Sequence, residues 1–170
     1  MDTIQAIMTR RSVRRYTTEP VTETQLDVLL RAAMRAPSAC NQQPWHFVVV
    51  TDAELLRRIP EVNPYAGMAR SAPAAIVVCA DPKLQQMCPG FWPQDCAAAI
   101  ENLLLAAHTS GLGAVWTAVH PDASREQRCR EIFDIPEDVV PVGTVVLGHP
   151  AETPAPLDTY QADRIHRNGW

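Results

Sequence analysis

The stretch DCAAAIENLLLAAHTSGLG, residues 95–113, restricts the fold more than any other part of the chain. It predicts a helix from about Asp95 to Thr109, with Gly111 as its C-terminal stop. That helix is apolar nearly all round, interrupted only by Glu101 and Asn102. A helix with no face for water belongs at the centre of a core or of a subunit interface. It is too short, and too polar at its ends, to span a bilayer.

The rest of the chain supplies partners for such a helix. Trp45 to Asp52, Ala74 to Ala80 and Thr144 to Gly148 are apolar runs of strand length, and Ala114 to Val119 is a fourth candidate strand. Residues 22–35 predict an amphipathic helix. Thr22 and Gln25 form a capping box, Leu26, Leu29, Leu30, Ala33 and Met34 share one face, and Pro37 ends the run. Asp52 is placed to cap a helix over Leu55 and Leu56, Arg125 to Phe133 is a further helix, and Thr3 to Met8 is a short one. From about residue 149 the chain is an extended, proline-rich tail. Helices and strands alternate without a strict βαβ rhythm, and no G-x-G-x-x-G follows a strand. An α+β layered sandwich formed by residues 1–170 as one domain is therefore expected, and not a dinucleotide-binding doubly wound sheet.

Composition narrows the function by exclusion. With 15 Lys+Arg against 19 Asp+Glu, the chain has a formal net charge of −4 and no general attraction to nucleic acid or membranes. Five cysteines, Cys40, Cys79, Cys88, Cys96 and Cys129, show no C-x-x-C spacing. Neither a disulfide framework nor a zinc knuckle is expected; reduced thiols in a cytoplasmic protein are. The histidines are scattered, so no metal site is expected. Arg10-Arg11 is followed by Ser12 and Val13, but the chain then continues into YTTEPVTETQ from Tyr16 and not into an apolar segment, which argues against an export signal.

Against that background, RRSVRRY at residues 10–16 is a local exception, with four arginines in six positions. A nucleic-acid site would need further basic residues or stacking aromatics, and the sequence pI is about 5.7. A small anion is the better target, because guanidinium groups bind phosphate through paired, charge-assisted hydrogen bonds. Arg10, Arg11 and Ser12 offer guanidinium, hydroxyl and backbone donors together, while Arg15 especially, and Arg11 as well, are candidates for mere solvation of the surface. PSACNQQPW, residues 37–45, is a turn rich in amides that can each donate and accept. Within it, Cys40 has no base beside it in sequence, which favours a structural role over a nucleophilic one.

Three blocks together, RRSVRRY, RAPSACNQQPWHFVVV and DCAAAIENLLLAAHTSGLGAVW, resemble the nitroreductase family, in particular its short single-domain members. The resemblance covers nearly the whole chain. It implies a three-layer α/β/α sandwich with a mostly antiparallel sheet, a homodimer, and FMN as cofactor with NADH or NADPH as hydride donor. Ping-pong reduction of nitroaromatic, quinone or similar small acceptors would follow. It places Arg10 and Ser12 at the flavin phosphate and Arg14 near the polar edge of the ring. Pro37, Ser38, Ala39 and Asn41 would reach the flavin across the dimer interface. Trp116, Thr117 and Ala118 would lie against the central ring near N5, the last two through their backbone. Asn63 falls in a loop where relatives set an amide at the flavin edge.

One departure stands out. Relatives commonly add a lysine or arginine to the phosphate from the C-terminal stretch, where this chain has PLDTYQ with Leu157 and Thr159, and Arg164 or Arg167 are the substitutes nearby. Three other readings share part of this pattern: a flavin-binding protein without turnover, a flavin-destroying or dehalogenating relative, and a nucleic-acid module using Arg10–Arg15.

Overall fold

The structure is a computed structural model describing residues 1–155 and 157–170. Its centre is an antiparallel four-stranded sheet: β1 (Trp45–Val50), β2 (Ala74–Ala80), β3 (Gly113–Ala118) and β4 (Val140–Gly148), in spatial order β1-β2-β4-β3. Every residue of β2 is buried, because both faces of the sheet are covered. Side chains alternate across a strand, so Ala74, Ile76, Val78 and Ala80 enter one core and Ala75, Val77 and Cys79 the other.

The first core is closed by α2 (Glu23–Ala33) and α4 (Trp92–Thr109). The second is closed by α3 (Ala53–Val62), α5 (Ala123–Phe133) and a 3-10 segment, Pro64–Ser71. The result is the expected α/β/α sandwich. In α4, Cys96, Ala99, Ile100, Leu103 and Ala107 are fully buried, which accounts for the missing polar face. Thr22 accepts from Gln25 N while the Gln25 side chain accepts from Thr22 N, the capping box read from sequence. Asp52 caps α3, accepting from the amides of Glu54 and Leu55.

Element ends moved modestly. The helix α4 begins at Trp92, three residues before the expected start, with Pro93 in its first turn where a missing N–H costs nothing. The strand β4 begins at Val140, because pairing with β2 continues across an irregularity at Val78/Cys79. The 3-10 segment Pro64–Ser71 has no counterpart in the sequence reading. It is held by Asn63, whose side chain accepts from Tyr65 N. The helix α1 (Thr3–Thr9) leads into the arginine run, and the tail doubles back on it: Thr17 N donates to His149 O, and Ala151 N to Arg15 O.

The cysteine expectation is corrected for two residues. Cys79, Cys96 and Cys129 are free and buried, but Cys40 and Cys88 are joined as a disulfide across 48 residues of sequence. The sequence offers no motif for this pairing, which arises only when the turn after α2 and the connection before α4 fold against each other.

Candidate functional site

The site is built on the free edge of β3. One edge of β3 pairs with β4; the other receives the arginine run, with Ser12 bridged in parallel to Ala114 and Val13 N donating to Ala114 O at 3.0 Å. Farther along, Asn63 Nδ2 donates to Ala118 O at 2.9 Å from the same side. Backbone groups two residues apart point the same way along a strand. Trp116, midway between Ala114 and Ala118, therefore turns its own N–H and C=O to that open edge.

Gly143 explains how Trp116 lies. A Cβ there would stand 2.2 Å from Trp116 Nε1, so the indole passes directly over a glycine of β4. Trp116 is 39% exposed and is no core residue. Thr117, in contrast, is buried and donates its hydroxyl to Thr144 O at 3.1 Å, and its own N–H and C=O, one residue out of phase with Trp116, turn toward β4. The backbone contact expected of Thr117 is therefore not offered at the open edge, where Trp116 and Ala118 present theirs.

Two clefts flank this edge, and both are lined by Trp116 and Ala118. The one of about 510 Å³ also has Arg10, Ser12, Glu101 and Leu104; the other, of about 490 Å³, also has Arg14, Asn63, Tyr65 and Arg125. A third cleft of about 470 Å³ lies on the far side of Arg10, Arg11 and Ser12, under Leu157, Thr159 and Tyr160 of the tail. Cations thus stand on both sides of a flat indole and an open strand edge.

Several of these cations already have partners. Arg10 Nε donates to Glu101 Oε1 at 3.1 Å, and Arg11 donates to Ala155 O. Arg14 N donates to Glu152 Oε1 at 2.7 Å, leaving its exposed guanidinium outward. His108 Nε2 is 2.9 Å from Thr9 Oγ1 at the C-terminal turn of α4, and burial, then the charge of Arg10, hold its pKa below the ordinary imidazole value.

The turn after α2 is a second component, placed elsewhere. Ala39 N donates to Asp95 Oδ1 in the first turn of α4, whereas Arg10 meets Glu101 six residues later. At 1.5 Å per residue that is about 9 Å along the helix axis. None of the three clefts is lined by any of Pro37, Ser38, Ala39 or Asn41, so one chain does not bring this turn to the arginine run.

The turn itself has an unusual backbone. Cys40, Asn41 and Gln43 have φ of 52°, 53° and 48°. Such left-handed geometry costs ~1–2 kcal/mol for each ordinary L-residue. Hydrogen bonds hold it: Gln43 N donates to Ser38 Oγ, Gln43 Nε2 to Asn41 Oδ1, and Gln42 bonds the connection before α4 through both ends of its amide.

Several relevant residues escaped the sequence reading. Glu101 was visible only as a charge breaking an apolar helix; its partner, Arg10, supplies the reason. Tyr65 and Arg125, the latter donating to Ala118 O at 3.3 Å, carry no motif. Asn63, which the resemblance sets in a loop at a ligand edge, does line the cleft of about 490 Å³ beside β3, buried, with its side chain donating to Ala118 O and accepting from Tyr65 N. Arg164 and Arg167, the suggested substitutes for a tail cation, line none of the three clefts, and the tail there contributes Asp158 instead.

A family model described as "Nitroreductase family" matches residues 7–64 and 61–149. A protein of Methanothermobacter thermautotrophicus named "Putative NADH dehydrogenase/NAD(P)H nitroreductase" is 51% identical over 170 residues, covering 100% of this chain and 88% of that one. A crystal structure from Parabacteroides distasonis with the same description superposes with a TM-score of 0.94 at 40% identity, covering 98% of each chain. A Desulfovibrio desulfuricans structure titled "putative nitroreductase in complex with fmn" superposes with a TM-score of 0.83 at 28% identity, covering 98% of this chain and 96% of that one. The chain belongs to the nitroreductase family.

Proposed function

We propose that this protein is an FMN-dependent oxidoreductase that uses NADH or NADPH to reduce small acceptors such as nitroaromatics or quinones. One observation carries the reading: an open strand edge and an exposed indole at Trp116–Ala118, with Arg10 and Ser12 on one side and Arg14 on the other.

The donor set fits the cofactor. A phosphate with roughly two negative charges needs several donors, and Arg10, Arg11 and Ser12 converge on one cleft. When bound, FMN supplies the two-electron chemistry that no side chain here performs. Arg10 and Ser12 then hold the phosphate, with Glu101 keeping the Arg10 guanidinium in place through Nε. Arg14 sets a fixed positive charge beside the ring, where reduction accumulates negative charge. Trp116 and Ala118 offer backbone donors and acceptors along the open edge, and Asn63 and Arg125 keep the end of that edge from moving by binding Ala118 O.

The second wall of the site comes from another protomer in this reading. Within one chain, Pro37–Asn41 lies away from the arginine run, yet its exposed amides suit a heterocycle edge. A twofold pair would bring each such turn to its mate's cleft. Exposed Ile4, Ile7 and Met8 on α1 supply apolar surface for that contact.

The test is direct. Purified protein titrated with FMN should quench flavin fluorescence at a stoichiometry of one per chain and sediment as a dimer. It should then oxidise NADH or NADPH only when a nitroaromatic or quinone is present. Flavin bound without turnover would leave a binding protein; no flavin bound at all would defeat the reading.

A further inference from the structure

We propose that Cys40 and Cys88 form a reversible redox clasp that fixes the shape of the 38–43 turn, and that thiol–disulfide exchange at this pair sets how tightly flavin is retained. The second half rests on the flavin reading above; the first does not.

Of the five cysteines, these two alone are placed for exchange. Cys79, Cys96 and Cys129 are buried in the two cores, and burial pushes each thiol up to about 12, which keeps them inert at neutral pH. Cys40 is exposed and Cys88 half-buried, with Cα atoms 6.5 Å apart, inside the span a disulfide bridges.

The clasp closes where the backbone needs it. Cys40 itself is left-handed, as are Asn41 and Gln43. Strained residues of this kind persist only where their surroundings over-determine them. The remaining fasteners join the same two segments: Gln42 Nε2 donates to Leu84 O at 2.6 Å, and Gln42 Oε1 accepts from Met87 N at 3.1 Å and Cys88 N at 2.9 Å. Asp95 gathers both segments as well, accepting from Ala39 N and from Gln85 Nε2. Opening the disulfide leaves this turn to hydrogen bonds that are largely exposed to water.

The exchange balances with an external dithiol as reductant. One thiolate of the dithiol attacks the exposed Cys40 sulfur, and Cys88 leaves as thiolate and takes up a proton. The second thiol then attacks the dithiol's own sulfur in the mixed disulfide, closing the reagent's ring and releasing Cys40 as a thiol. The pair gains two electrons and two protons, and the dithiol loses the same. If reduction lowers the share of molecules whose turn is competent to about a third to a tenth, the FMN dissociation constant rises about three- to tenfold.

The experiment uses the full chain, oxidised with glutathione disulfide or reduced with dithiothreitol. Alkylation and peptide mass mapping report the Cys40–Cys88 link, hydrogen exchange reports residues 37–45, and fluorescence titration reports FMN affinity. The expected result is a link in the oxidised protein only, faster exchange of 37–45 on reduction, and the stated loss of affinity. Cys88→Ser should exchange fast and bind weakly in both conditions. An unlinked oxidised protein, or exchange of 37–45 unchanged by reduction, overturns the clasp. Changed exchange with an unchanged FMN constant overturns its control of flavin retention. Changed exchange in a protein that binds no FMN in either state upholds the clasp and defeats the flavin reading.

Discussion

The arginine run and the turn after α2 solve the problem of presenting a surface in opposite ways. Residues 10–16 have their backbone secured by the sheet and the tail. Val13 N bonds Ala114 O, Arg14 N bonds Glu152, and the Tyr16 hydroxyl donates to Val13 O at 2.6 Å. Val13 is buried against Gly113, where a Cβ would meet it at 2.6 Å. The side chains are thereby free to project. In the turn the balance is reversed: Ser38, Gln42 and Gln43 use their side chains to hold a left-handed backbone, and what reaches outward is mainly a shape. Substitution in the run should remove chemistry and spare the fold, while substitution around the turn should loosen the local fold and reach binding only through the shape it loses.

The largest expected effect tests the first half of that contrast. Arg10→Ala removes a charged hydrogen bond to the phosphate, worth ~1.5–3 kcal/mol, so the FMN dissociation constant should rise about ten- to a hundredfold. Stability should barely change, because a partly exposed ion pair such as Arg10–Glu101 contributes only ~0–1 kcal/mol. Arg15→Ala, at an exposed residue lining none of the three clefts, should bind FMN like the parent. Equal losses for Arg10→Ala and Arg15→Ala in fluorescence titrations would mean that the run acts as diffuse charge with no defined contacts.

The turn is tested through Asp95, which is buried and accepts from both Ala39 N and Gln85 Nε2. Asp95→Ala leaves two donors without their partner and should cost ~1–3 kcal/mol, read as a lower urea midpoint with an unchanged slope. Exchange of the Ala39 amide should quicken more than that of Val13. Were both amides to change alike, the two regions would belong to one cooperative unit and the contrast between them would fail.

The same contrast decides what could be read without coordinates. The core was legible because burial is written in periodicity: the apolar run of β2 and the wet-face deficit of α4 left few arrangements other than layers on both sides of a sheet. The arginine run was legible because its chemistry is carried by residue type. The turn was recognised as a loop, but nothing in PSACNQQPW announces three left-handed residues, since none of them is glycine. Cys40 and Cys88 lie 48 residues apart, and their encounter depends on how α4 enters the sandwich. Asn63 shows the limit from the other side. The resemblance sets its amide at a ligand edge and the residue does line the cleft there, but no motif announces that tertiary packing commits the amide to Ala118 O and Tyr65 N.

The smallest expected effect is also the most local probe of the run. His108 shares a cleft with Arg10 and is held below the ordinary imidazole pKa of 6.5, by burial first and by the Arg10 charge second. A folded-state pKa below the unfolded value means that the unfolded chain binds the proton more readily. Stability from this group is therefore complete above about pH 6.5 and is lost as pH falls toward the folded-state pKa. His108→Gln should flatten the stability profile on the acid side of neutrality. Binding of an anion to Arg10 cancels part of the repulsion, so the His108 pKa, followed by NMR of its imidazole protons, should rise when FMN or inorganic phosphate is added. Arg10→Ala should raise it without ligand and abolish the further response. By reciprocity, FMN should bind somewhat more tightly as pH falls through the His108 titration. A His108 resonance indifferent to both ligands would place the anion elsewhere than at Arg10, and with it the function assigned to the run.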